Sequence, residues 1–305
     1  MVSSKFQDLT IVIPTLNEAE AIGSVLDEVM LVGVPRDKIL IIDGGSTDGT
    51  IEIAKSRGVK VVMQEGKGKA DAIKTASKYV TTKYALFMDG DHTYPAKFID
   101  KLYSKVKEGY DLVIGWRLYN RESQPWIYRI GNKLLTSVFN LLFGTRLHDV
   151  LSGMYVIKTE VLKELMFETR GFGIESEVVA HVISTSGSVN EVPIEYRKRL
   201  GRKKLGVKHG FQILREMIRL TWRYNPTFFI FTLGALLLIP GLILGAYVAY
   251  HYFFTGIKYY VKGLVAILLT LTGFQSLLLA ILSLYLKRME FRLQRTLRRT
   301  ISKVY

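Results

Sequence analysis

The chain has 305 residues, no cysteine, 49% apolar residues and a formal net charge of +15. The missing cysteines exclude disulfides, thiolate catalysis and Cys-ligated zinc or iron–sulfur sites. The length allows one large domain or a domain with an appendage, and the positive mean hydropathy places part of the chain out of water.

In chain order, the opening "MVSSKFQDLTIVIPTLNE" lacks a signal-peptide stretch, since its apolar run breaks at Pro14. Within it, "LTIVIP" reads as a strand. Asn17, with Glu20 three residues on, reads as a capping box opening a helix to about Met30. "KILIID" is a second strand, and "GGSTDGT" turns the chain and caps a helix to about Arg57. "VKVVMQ" is a third strand, "GKGKADAIKTASKYV" a glycine-broken loop and helix, and "YALFMD" a fourth strand. A helix from Pro95 to about Glu108 leads to a fifth, "YDLVIGWR". Strands alternating with helices indicate an α/β domain with a mostly parallel sheet, in which ligands bind at the carboxyl ends of the strands. The polar clusters fall there: Thr15, Asn17 and Glu18; Asp43; the Lys67/Lys69 loop; Asp89 and Asp91; Arg117. Carboxylates with Lys and Arg point to a metal-bound, phosphate-rich ligand.

Farther on, residues 125–143 open at Pro125 with Ile127, Ile130, Leu134 and Val138 at helical spacing and Arg129 and Lys133 outside that stripe. This is either a helix lying in a membrane interface or a surface helix packed on a core. Residues 207–224 place Val207, Phe211, Leu214, Ile218 and Trp222 on one helical face and Arg215, Arg219 and Arg223 on another. Residues 228–254 and 263–286 contain no Asp, Glu, Lys or Arg. The first would make a helix roughly 40 Å long, enough to cross a bilayer core of about 30 Å with tilt.

The basicity is local. Ten Lys/Arg and one acid lie between Tyr196 and Arg223, and seven and one from Lys287 to Tyr305, so these segments carry the whole net charge. Each abuts the outer end of one apolar run. By the positive-inside rule both chain ends are cytoplasmic, and anionic lipid headgroups rather than nucleic acid are the partner of the patches. The expected organisation is a cytoplasmic catalytic domain (1–206), an interface helix (207–224), a two-span hairpin (226–286) in the cell membrane and a basic cytoplasmic tail (287–305).

The carboxylate pair in "YALFMDGDHTYP" admits several readings. A calcium loop fails, because Tyr94 stands where glycine is needed and Asp100 where glutamate is needed. A haloacid-dehalogenase-like phosphatase would use Asp89 as nucleophile and Asp91 as acid. Its motif usually follows the first strand, whereas three strands precede it here.

"IVIPTLNE", "IIDGGSTDGT", "GKGKADAI", "MDGDHTYP" and "IGWR", in this order and spacing, resemble family 2 glycosyltransferases with the GT-A fold. "LHDVLSGMYVIKTEVL", "GFGIESEV" and "VPIEYRKRLGRKKL" are similar to the polyprenyl-phosphate (dolichol-phosphate) mannose and glucose synthase branch, so the likeness covers about residues 9–224. It implies a GT-A-like sheet domain followed by interface helices and a transmembrane hairpin. The implied activity is metal-dependent, inverting transfer of a hexose from a nucleotide sugar to polyprenyl or dolichyl phosphate.

By that resemblance Pro14, Thr15, Asn17, Glu18, Asp43, Lys67, Lys69 and Asp89 hold the nucleotide. Asp91, with Asp89 and Thr93, binds Mg²⁺ or Mn²⁺. Arg117 meets the diphosphate or the lipid phosphate, Arg202 and Lys204 grip the acceptor phosphate with Ser152 beside them, and Asp89, Asp91 and Arg117 form the catalytic group. Mannose synthases often read "DADLQHP" and "DD-x-S-x-D", against "DGDHTYP" and "DGGSTD" here, so the expected donor is a UDP-hexose rather than GDP-mannose. A lipid monophosphate, with a second pKa of about 6, is already a nucleophilic dianion at neutral pH and needs no catalytic base. His92 and His148 suit local hydrogen bonding rather than zinc. Glu175 and Glu177 either bracket the acceptor or cap a helix, and Asp149 has no derivable role. A processive polysaccharide synthase, for which no Q-x-x-R-W block is present, and an inactive membrane adaptor stay as alternatives.

Overall fold

A computed structural model describes residues 5–119, 123–165, 167, 173–201 and 207–304. The chain divides into two compact units, 1–220 and 221–305.

In the first unit, β1 (Leu9–Thr15) and β2 (Ile39–Asp43) are apolar and buried almost throughout, as central strands covered on both faces must be. β3 (Lys60–Met63) is partly exposed at one edge, and β4 (Tyr84–Phe87) is buried. Helices α1 (Ala19–Leu31), α2 (Thr50–Ser56) and α3 (Lys69–Tyr79) make the crossovers, and α4 (Ile99–Lys107) leads into β5 (Leu112–Tyr119). Then come α5 (Trp126–Phe143), β6 (Tyr155–Lys158), α6 (Thr159–Glu164), α7 (Ile174–Ser184), β7 (Val189–Tyr196) and α8 (Val207–Tyr224), whose last four residues belong to the second unit.

The seven-stranded sheet has the order β3-β2-β1-β4-β6-β5-β7. β1 is flanked by β2 on one side and β4 on the other, both parallel to it. The winding therefore reverses between β1 and β4, which opens a crevice at their carboxyl ends. The mostly parallel α/β expectation holds, with one exception. β6 runs antiparallel to both β4 and β5, so its N-terminal end, and residues 149–153 before it, lie at the same edge as the carboxyl ends of β4 and β5. β7 returns parallel to β5, pairing Arg117 with Ile194 and Tyr119 with Tyr196, and delivers the chain after Tyr196 to that edge too.

The capping box at Asn17 does not form. Glu18 occupies the cap of α1 without a side-chain cap bond. The first N–H groups are capped instead across the loop: Glu18 N–H donates to Thr50 Oγ1 at 2.9 Å and Ala19 N–H to Asp48 Oδ2 at 3.0 Å. Asn17, at φ 50°, accepts from Thr47 N–H at 2.8 Å. A tertiary cap thus replaces the local one.

On α5, Leu135, Phe139 and Leu142 are buried, while Ile127, Ile130, Leu134 and Leu141 face out. The stripe picked from spacing is mostly the uncovered one, and a second stripe packs on the core. On α8, Phe211, Ile218 and Trp222 are exposed, whereas Met217 and Leu220 are buried.

The second unit pairs α9 (Pro226–Tyr250) with α10 (Tyr260–Val304), joined through a π-turn at His251–Thr255. Pro226–Thr255 and Tyr260–Leu286, of 30 and 27 residues, are long and apolar enough to cross a membrane and are mostly uncovered. They pack closely where glycine replaces a side chain: a Cβ on Gly273 would stand 2.5 Å from the Leu238 backbone nitrogen. The basic tail expected to follow the second run continues it as one helix to Val304.

Candidate active site

The crevice between β1 and β4 collects the carboxylates. Asp43, at the end of β2, is fully buried, and its two oxygens accept four bonds: Thr15 Oγ1 at 2.8 Å, Gly45 N–H at 2.9 Å, Ser46 N–H at 2.7 Å and Ser46 Oγ at 2.6 Å. Thr15, Asp43 and the 44–50 loop therefore form one rigid wall, with Asn17 and Glu18 bonded to it. Pro14, beside Ile42 in the register, belongs to the same wall.

Asp89 and Asp91 follow β4. Gly68, at φ +87°, turns the chain so that Lys69 opens α3, and the Lys69 ammonium sits 2.5 Å from Asp89 Oδ1 and 2.6 Å from Glu175 Oε1. Burial works against the Lys69 charge, but Asp89 and Glu175 outweigh it and hold its pKa well above the usual lysine value. Glu175, in the first turn of α7, is buried, as is Glu177. Lys67 does not join this group: it is exposed, and its backbone N–H donates to Asp71 at 2.8 Å.

Asp91 is buried. Its Oδ1 accepts Thr93 N–H at 3.1 Å and Thr93 Oγ1 at 2.5 Å, and its Oδ2 accepts Arg199 Nη1 at 2.8 Å. Burial, then the neighbouring Asp89 charge, raise its pKa against the opposing pull of Arg199 and Thr93. Arg199 Nη2 also reaches Glu18 Oε1 at 2.5 Å. The Thr93 hydroxyl, expected as a third metal ligand, is thus a donor to Asp91.

Arg117 is buried inside β5 and clamped by Asp149: Nε to Oδ2 at 2.6 Å and Nη2 to Oδ1 at 2.7 Å. Its guanidinium lies 5.4 Å from the centre of the Tyr196 ring. Asp149, without a role in the sequence, is the residue that orients Arg117. Ser152 donates to the Gly115 carbonyl at 2.5 Å and is buried, tying the turn before β6 to β5. Gly153 lies so close to the cluster that a Cβ there would stand 2.5 Å from Asp89 Oδ2 and 3.0 Å from Lys69 Nζ.

His92, at φ 67°, meets Glu28 at 3.0 Å and Arg197 at 3.2 Å. His148 meets Glu191 at 2.8 Å and stacks on Trp116. Arg202 and Lys204 lie outside the described residues. Arg199 was missed because six basic residues crowd "YRKRLGRKK" (196–204) and nothing local says which one faces Asp91.

The sequence and the fold have known counterparts. The sequence model of the family described as Glycosyl transferase family 2 matches residues 10–166. Glycosyltransferase AglJ of Haloferax volcanii is 33% identical over 279 residues, covering 90% of this chain and 91% of its own length. A dolichyl-phosphate hexose transferase of the same organism is 33% identical over 206 residues, covering 67% of this chain and 90% of its own. Among solved structures, glucosyl-3-phosphoglycerate synthase from Mycobacterium tuberculosis, in complex with Mn²⁺, UDP-glucose and glycerol 3-phosphate, matches with a TM-score of 0.58 and 24% identity, over 70% of this chain and 78% of that one. That likeness is one of fold. With the GT-A-like sheet, the match over half its length and the two relatives, the chain is a glycosyltransferase and belongs to glycosyl transferase family 2.

Proposed function

We propose that the protein transfers a hexose from a nucleoside-diphosphate sugar to a polyprenyl phosphate at a membrane surface. The observation that carries this reading is the Asp89/Asp91 pair at the switch point of a family 2 fold, on a chain with two membrane-length helices. The dolichyl-phosphate hexose transferase among its relatives supports the acceptor class. The transferase family also favours this reading over the phosphatase reading of the same aspartates.

Among the described residues no group of three or more His, Asp or Glu is arranged to hold a metal by itself. A hard cation such as Mg²⁺ or Mn²⁺ is commonly held by one or two carboxylates, with phosphate oxygens and water filling its other positions. Asp91 and Asp89 fit that donor set, with the metal arriving alongside the diphosphate. When bound it supplies positive charge against the developing charge on the leaving group.

The chain's own groups do the rest. Lys69, itself held by Glu175, pairs with Asp89 and aims it. The Thr15–Asp43 wall shapes the nucleotide side, which moves Asp43 from a direct nucleotide contact to a positioning role. Asp149 fixes Arg117, whose guanidinium meets a phosphate. Because the acceptor phosphate is a nucleophile already, these residues need only position it and stabilise the leaving diphosphate. The exposed apolar faces of α5 and α8 suit the headgroup plane. The basic segments put the catalytic unit and both chain ends on the cytoplasmic side.

Purified full-length protein in detergent, given dolichyl phosphate, Mg²⁺ or Mn²⁺ and labelled UDP- and GDP-sugars, should move label into the organic phase from one UDP-hexose. Asp91→Ala should lose metal-dependent donor binding while staying folded. No lipid-linked label from any donor, together with phosphate release from sugar phosphates, would overturn the proposal.

A further inference from the structure

The five residues after β7 form a strap across the carboxyl edge of the sheet. It is pinned twice by its backbone: Arg197 N–H donates to the Thr93 carbonyl at 2.9 Å and Leu200 N–H to the Asp91 carbonyl at 3.1 Å. Between these pins Arg199 spans the crevice from Asp91 on the β4 side to Glu18 on the β1 side. Both carboxylates are buried and the guanidinium is about one-quarter exposed. Asp91 then has little to offer a metal. Thr93 uses one oxygen twice and Arg199 holds the other. A divalent cation at Oδ2 would stand against the guanidinium, and two cations cannot share that oxygen without strong repulsion. Meanwhile Arg199 Nε is buried with no hydrogen-bond partner. A charged donor in that position costs stability until an acceptor arrives, and a guanidinium offers its N–H groups to phosphate as readily as to carboxylate.

We infer that Arg199 is an internal counter-cation that competes with the divalent metal for Asp91 and releases it when a nucleotide diphosphate gives the guanidinium another anion. The inference rests on the metal and nucleotide assignment made above. Its consequence is that metal and nucleotide bind cooperatively. The metal alone must displace Arg199 and leave it facing a cation, whereas the metal with a diphosphate leaves every charge paired. Thermodynamic linkage requires the same factor in both directions.

The test uses full-length protein in detergent with Mn²⁺ and UDP as probes, free Mn²⁺ being read by electron paramagnetic resonance. In the wild type, UDP should tighten Mn²⁺ binding by a factor within roughly 5–150, the usual span of such couplings. Arg199→Gln should bind Mn²⁺ more tightly than wild type without UDP, and the factor gained on adding UDP should shrink to what direct ligation by the diphosphate oxygens supplies. Arg199→Lys keeps the charge but makes only a point contact, so it should fall between; it carries the test if the glutamine variant does not fold. Arg197→Gln is the control for the general field, since Arg197 bonds Glu28 and His92 instead. Mn²⁺ affinity without UDP that is unchanged or weaker in Arg199→Gln overturns the inference. So does equal tightening in Arg197→Gln. Asp91→Asn separates the two levels: undiminished Mn²⁺ binding there sinks the metal assignment and the inference with it. Loss there, with no tightening in Arg199→Gln, sinks the inference alone.

Discussion

Replacing Asp149 by alanine removes the carboxylate that clamps a buried guanidinium. Arg117 is 9% exposed and Asp149 5%, and the carboxylate accepts three bonds from Arg117, from Nε, Nη2 and the backbone N–H at 2.6, 2.7 and 3.2 Å. Arginine stays charged at any working pH, so the variant takes a bidentate carboxylate away from a buried cation, a change that costs about 3–5 kcal/mol. The Tyr196 ring under the guanidinium offsets part of this, by about 0.5–2 kcal/mol, which puts the expected loss near 3 kcal/mol. With a urea slope of about 2–3 kcal/mol/M, the midpoint should fall by at least about 1 M. Urea titration of the full-length chain in detergent reads this through Trp116, which precedes Arg117 and stacks on His148 with ring centres 4.8 Å apart. Asp149→Asn, which keeps an acceptor, should lose less. The pair Arg117→Met with Asp149→Leu removes both charges and should recover most of the stability, since buried ion pairs exchange for apolar groups at little cost. If Asp149→Ala lies within about 1 kcal/mol of wild type, or the double variant is the less stable, the buried-charge account is wrong.

Three further outcomes are expected. Gly153→Ala forces Asp89 and Lys69 away from the new methyl group and should cut the transfer rate by up to about 100-fold with a near-normal urea midpoint; full activity would show that the position of Asp89 is not critical. Thr15→Val removes the 2.8 Å bond to the fully buried Asp43. It should cost about 1.5–3 kcal/mol and weaken UDP binding in calorimetry, and an unchanged nucleotide affinity would detach this wall from the donor. At the opposite edge of the sheet burial pushes the Asp111 pKa up, but Lys158 and Ser188 prevail and hold it below the ordinary 3.8. A depressed native pKa stabilises fully above the unfolded value and loses that contribution as the pH falls through the native one. Asp111→Asn should therefore be less stable than wild type at neutral pH and converge with it in acid, whereas urea midpoints that diverge in acid would reverse the assignment.

The sequence by itself determined the α/β alternation, because β1, β2 and β4 are continuous apolar runs bounded by turn residues. It also determined the two membrane-length helices, since an uncharged stretch of that length has few other uses, and the placing of the aspartates at strand ends. Only the tertiary structure decided what those aspartates touch. β6 enters the sheet antiparallel between β4 and β5, and nothing in "YVIK" states its direction; that insertion brings Asp149 to Arg117 and Gly153 to Asp89. The start of α1 is capped by Asp48 and Thr50 rather than by its own Asn17, because a neighbouring loop offers the same oxygens without a local turn. Arg199 lies 108 residues from Asp91 and 181 from Glu18. Periodicity and spacing encode what neighbours within a helix or strand share. A contact across such separations is set by where the strands close into one sheet, which the local pattern does not contain.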